Sequence, residues 1–163
     1  MKKRAQAWGF DLMMGAVIFT LGLILFFIYS INYPRQSEET LDVLRFEGEF
    51  IAENLLSTGH PNDWTENNVI AIGLVNEEKI NQTKIERLYT MTSSQAGYDK
   101  SKSLLNTRYE FFFNFSQQMF VAGNPVEGIG KDYVNQNTKN LVKITRIVIY
   151  DNSPTTLNLY IWE

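Results

Sequence analysis

Residues able to do covalent or metal chemistry are few in this chain, and they are scattered. Among 163 residues there is one histidine, His60, and no cysteine. Without cysteine there are no thiolate ligands, thiol nucleophiles, disulfides or lipoprotein attachment point, and a single histidine cannot build a histidine-rich metal site. His60 stands in Gly59-His60-Pro61, a turn sequence. The acid pairs Glu38-Glu39 and Glu77-Glu78 fall on solvated faces, where charge solubilises. Gly123, Gly128 and Gly130 lack the lysine and spacing of a phosphate-binding loop, and no serine sits in a Gly-x-Ser-x-Gly elbow. Asp132, Asn135, Asn137, Asp151 and Asn152 fall in loops at a spacing that matches no calcium loop. No catalytic, cofactor-binding or metal-ligating residue is expected, no cofactor is implied, and the chain does not read as an enzyme.

Two positions fit a modification pattern instead. Asn81-Gln82-Thr83 and Asn114-Phe115-Ser116 match the acceptor motif for N-linked glycan, which requires an extracytoplasmic location. Fifteen asparagines make chance matches common.

The element that dominates the chain is an unbroken apolar run from Leu12 to Ile31, interrupted only by Thr20 and Ser30. As a helix, 20 residues rise about 30 Å, the thickness of a bilayer's hydrocarbon core. Gly15 and Gly22 are tolerated in such a helix and let neighbouring helices approach. Lys2, Lys3 and Arg4 precede the run, and a net acidic stretch follows it. The N-terminus is therefore expected in the cytoplasm, with the remainder outside the cell membrane. Tyr29 and Tyr33 fall near the outer end, where rings with a polar tip favour the headgroup region. A secretory signal would have a shorter core of about 7 to 15 residues and a small-residue cleavage site after it. Ser30-Ile31-Asn32-Tyr33-Pro34 supplies no such site. The expected organisation is a basic leader over 1–9, a transmembrane helix over 10–33 and an extracytoplasmic domain over 34–163.

That outer domain has the length to bury a sizeable core. Setting aside Lys2, Lys3, Arg4 and Asp11 leaves 12 basic and 17 acidic residues, a balance with no electrostatic footprint for nucleic acid. Pro34 should break or kink the first helix. A second helix follows, capped by Ser37, with Leu41, Leu44, Gly48, Ile51 and Leu55 as an inward stripe widened by Val43, Phe50 and Leu56. It should stop at Ser57–Pro61, with Gly59 as a left-handed cap. Val69–Val75 reads as a strand, Asn81 as the cap of a helix over Lys84–Tyr89, and Asp99–Leu105 as another short helix. Arg108–Phe115 reads as a strand whose aromatic residues enter the core, paired with Met119–Ala122, and Gly123–Gly130 reads as a loop. Leu141–Tyr150 and Thr156–Trp162 form an antiparallel hairpin, with Val142, Ile144, Ile147 and Ile149 inward and a bulge near Arg146. The fold class is α+β: an amphipathic helix packed on a small antiparallel sheet.

The order of features at the N-terminus resembles a particular processed segment. In Lys2-Lys3-Arg4-Ala5-Gln6-Ala7-Trp8-Gly9 followed by Phe10-Asp11-Leu12-Met13-Met14, a short basic leader ends in glycine, phenylalanine follows, and the apolar helix begins at once. This is similar to the class III signal of type IV pilins and archaeal pilin-like proteins. The resemblance implies cutting between Gly9 and Phe10 by a prepilin-type peptidase, with the helix retained. The glutamate usual in bacterial pilins five residues into the mature chain is here Met14, and Asp11 is the only acid nearby. The resemblance implies a structural subunit of a surface filament or pseudopilus, assembling with other copies through its apolar helix by way of Asp11, Gly15, Ala16 and Gly22. The alternative is a single-pass anchored binding or accessory protein that forms no filament.

Overall fold

The computed structural model describes residues 3–32, 36–134, 136 and 138–163. The expected roles of Lys2, Tyr33, Pro34, Asn135 and Asn137 lie outside them. The chain divides into two compact units, Met1–Gln36 and Ser37–Glu163.

The first unit is one helix, α1 (Lys3–Asn32), and every residue from Gly9 to Ile31 is exposed. Apolar residues surround it, so no polar face marks a side meant for water. Thr20 satisfies its hydroxyl locally by donating to the Ala16 carbonyl at 2.8 Å.

The second unit mixes helices with small antiparallel sheets. Its first helix, α2 (Gln36–Leu55), starts one residue ahead of the expected cap Ser37, which therefore falls inside it. Two hairpin strands, β1 (Val75–Asn76) and β2 (Lys79–Ile80), precede α3 (Gln82–Thr92) and α4 (Gln95–Leu104). Asn81 caps α3, its side chain accepting from the Lys84 amide at 3.2 Å, and Ser94 caps α4 in the same way. The strands β3 (Glu110–Phe115), β4 (Met119–Val121), β5 (Asn124–Val126), β6 (Ile129–Gly130), β7 (Leu141–Tyr150) and β8 (Ser153–Trp162) complete it. The main sheet has the order β6-β3-β8-β7, antiparallel throughout.

Alternation along β3 sends Phe111, Phe113 and Phe115 inward with Tyr109 just before the strand, while Phe112 faces the other way. Leu157, Leu159 and Ile161 of β8 lie beside them with no exposed surface. On α2, Leu44, Ile51, Ala52 and Leu55 close the core from above. A Cβ at Gly48 would stand 3.0 Å from Ile144 and 3.1 Å from Ile161, so the missing side chain is what lets α2 settle this close to the sheet.

Several expectations are corrected. Met119–Val121 pairs with Asn124–Val126, not with β3, and the supposed loop over Gly123–Gly130 contains β5 and β6. Ala122 and Gly123 both have positive φ, the two-residue turn that returns a strand on its nearest neighbour, and β3 has both edges taken by β6 and β8. The β7–β8 hairpin turns at Asp151-Asn152, again at positive φ, and its register runs unbroken from Leu141–Trp162 to Tyr150–Ser153. There is accordingly no bulge at Arg146. An unbroken ladder keeps strict alternation, so Ile147 and Ile149 point outward, 83% and 41% exposed, while Val148 and Tyr150 point in. On α2 the expected inward residues Leu41, Val43 and Phe50 are exposed, because the sheet covers only the face centred on Gly48. Within Val69–Val75 only Val75 enters a strand; Ala71 makes a single bridge to His60. Gly59 does take a left-handed conformation, φ 70°, but four residues past the end of α2, where its backbone passes against Ala71 and Gly73.

Candidate functional site

The residues expected to act at the N-terminus lie on one continuous helix. Asp11, Gly15 and Gly22 are separated by four and seven residues, which places them on a common face, while Ala16 stands about 100° around the axis. A side chain added at Gly9, Gly15 or Gly22 would meet no atom within 4 Å. Gly9 and Phe10 are both helical, and Phe10 is 64% exposed. Glycine is about 1 kcal/mol less favourable than alanine in a helix, so Gly9 weakens the helix beside this peptide, as Gly15 and Gly22 do further along.

Asn81 and Asn114 are both engaged. Asn81 is half-buried and spends its side-chain oxygen on the α3 cap. Asn114, half-buried on the outer face of β3, accepts from Asn158 at 3.3 Å, and Asn158 itself accepts from Thr145. A glycan at Asn114 would project from the middle of a sheet strand; one at Asn81 would project from a helix end.

The second unit also buries polar groups, and each has a structural task. The Lys84 ammonium donates to the Thr58 carbonyl at 2.7 Å, the Val75 carbonyl at 2.9 Å and the Asn62 side chain at 3.2 Å. Burial, and next the Arg87 charge, push its pKa down against the pull of Asp63. It pins α3 to the segment leaving α2, an attachment that no sequence period announces. The Tyr98 hydroxyl accepts from the Phe111 amide at 2.9 Å and donates to the Phe111 carbonyl at 3.2 Å, completing β3 beyond the end of β6. Burial drives its pKa far up. His60 is exposed, and among the described residues no three of His, Cys, Asp or Glu converge as metal ligands.

Two surfaces missed by the sequence reading stand out. On α2, Val43, Phe46 and Phe50 form a second apolar stripe, with Phe46 73% exposed, lining a groove of about 460 Å³ with Asp42, Glu47 and Asn106. Their three- and four-residue spacing was visible, but the same spacing describes the buried stripe beside it. On the outer face of the sheet, Leu141, Ile147 and Ile149 are exposed. Beside Leu141, which pairs with Trp162, and away from Ile147 and Ile149, Phe112, Tyr133, Tyr160 and Trp162 form an aromatic shelf, with the rings of Tyr133 and Tyr160 stacked at 4.5 Å.

No protein-family model matches this chain, and neither the curated proteins nor the solved structures contain a match.

Proposed function

We propose that this chain is a pilin-like, membrane-anchored structural subunit that assembles through its apolar N-terminal helix into a surface filament or pseudopilus. The observation that carries the reading is the junction of a basic leader with Gly9–Ile31, a 23-residue helical stretch apolar and exposed on every side. Such a surface needs lipid or other apolar helices around it. The basic leader favours a cytoplasmic N-terminus and an outward second unit. In this reading a prepilin-type peptidase cuts between Gly9 and Phe10, and other copies supply the helices that pack on Gly15, Ala16 and Gly22.

Cutting there sets the Asp11 carboxylate beside the new ammonium of Phe10. In an apolar bundle a charge needs a partner, and pairing with a neighbour's terminus would fix register in place of the glutamate absent at Met14.

Mass spectrometry of the protein from its native membrane tests the reading. The chain should begin at Phe10 and lack all three leader charges. An intact leader on the bulk of the material would replace this reading with a single-pass anchored accessory protein. Asp11→Asn should insert normally and assemble poorly; normal assembly would place Asp11 at the membrane surface only.

A further inference from the structure

The two exposed apolar surfaces of the second unit differ in charge. Over its 20 residues α2 carries six acids, Glu38, Glu39, Asp42, Glu47, Glu49 and Glu53, against the single base Arg45. The strand β7 carries no acid and two bases, of which Lys143 shares the outer face with Leu141 and Ile147 while Arg146 alternates to the other side. Each surface sets large exposed apolar side chains among charges of one sign: Phe46 and Phe50 with Asp42 and Glu47 around the groove, Ile147 and Leu141 with Lys143 on the strand.

They also point apart. Gly48 meets Ile144, on the inner face of β7, whereas Ile147 is on the outer face. Phe46 and Phe50 lie two residues either side of Gly48, about 160° around the helix from it. One molecule cannot close its own stripe with its own strand. Moreover, β7 is the edge of the main sheet, paired only with β8 among the described residues.

We infer that the α2 stripe of one copy docks on the outer face of β7 of the next copy. This rests on the reading of the chain as an assembling subunit. Two different patches meet, so the contact is heterologous: each added copy leaves one patch free at either end, and the assembly stays open. The opposed charges favour this register over stripe against stripe or strand against strand, both of which juxtapose like charges.

The absence of cysteine makes the test direct. Full-length chain carrying Phe46→Cys and Ile147→Cys, in its native membrane, is treated with a bis-maleimide. The double variant should give a ladder of dimer, trimer and higher species. Each single variant should stay monomeric, and a control pair of Glu127→Cys with Ile147→Cys should give no ladder. Adding Lys143→Glu should cut the cross-linked fraction about tenfold, with recovery when Asp42→Lys and Glu47→Lys are added. Dimers from Phe46→Cys alone, or no ladder from the double variant, would overturn the contact. The leader mass is read in the same sample: an intact leader with a ladder removes the pilin-like reading and keeps the contact, while a cut leader without a ladder removes only the contact.

Discussion

The two faces of the four-stranded sheet are built by the same strands, yet one is closed and the other half open. On the inner face Phe111, Phe113, Leu157, Leu159 and Ile161 have no exposed surface. On the outer face Trp162 is 2% exposed while Ile147, on the neighbouring strand, is 83% exposed. Apolar content separates them in part, since the outer face sets Glu110, Asn114, Lys143, Thr145 and Asn158 among its apolar residues. The cover differs as well: α2 lies over the inner face through Gly48, whereas Tyr133 stands against the aromatic end of the outer face. A strand offers both faces, and the element packed on top decides which becomes core.

The comparison can be broken from the inside. Phe113→Ala should cost about 3 to 5 kcal/mol, by lost burial and the cavity left at the centre of the sheet. Urea unfolding followed by tryptophan fluorescence reads it; a cost under about 1 kcal/mol would mean that the inner face is not the core. On the covered end of the outer face, Tyr133→Ala should cost about 1 to 2 kcal/mol, since it removes the stacked ring from Tyr160 and uncovers Trp162. The same titration should show red-shifted Trp162 emission.

Smaller still is a pH effect at Glu110, which stands opposite Trp162. Burial works to raise its pKa, but the Lys102 hydrogen bond at 2.9 Å and the Lys102 and Lys131 charges hold it below the ordinary glutamate range. With the native value lowered, the stabilisation is full above the unfolded-state value of about 4.3 and disappears as pH falls through the native one. Thermal melts from about pH 5 down to about pH 3 should therefore fall less steeply for Glu110→Gln than for the parent chain. The smallest effect belongs to the open end. Ile147→Asp should change stability by no more than about 1 kcal/mol, the span of strand propensity. A severe loss would return Ile147 to the core and reinstate the bulge.

What the sequence made legible was local. The apolar run, the Asn81 cap, the exposed Glu77-Glu78 turn and the β7–β8 hairpin each follow from a period or a turn within a few residues of chain. The partners of β3 were not legible, because its paired residues in β6 and β8 stand 16 to 52 positions along the chain and nothing local in Arg108–Phe115 names them. The phase of β7 was misread because Val142, Ile144, Ile147 and Ile149 put apolar residues on both faces, and only the ladder with β8 chooses between them. The candidate site divides in the same way. Gly9, Phe10 and Asp11 were readable as an ordered pattern, whereas the α2 groove was hidden because Val43 and Phe50 looked like the margin of the buried stripe.

The strand order has a consequence for how the molecule is made. Synthesis runs from the N-terminus to the C-terminus. In the main sheet β8 lies between β3 and β7, although it is the last strand in the chain. When β3 is complete, its Phe113 and Phe115 still lack the strand that will carry Leu159 and Leu157, some forty residues later. The helices α2, α3 and α4 are likewise made before the surface on which α2 rests. The nascent second unit therefore keeps an aromatic strand without its main partner until Ser153–Trp162 has been synthesised. In that interval it is a natural client for a holdase, and a ribosome stalled before β8 would release a chain that aggregates rather than folds.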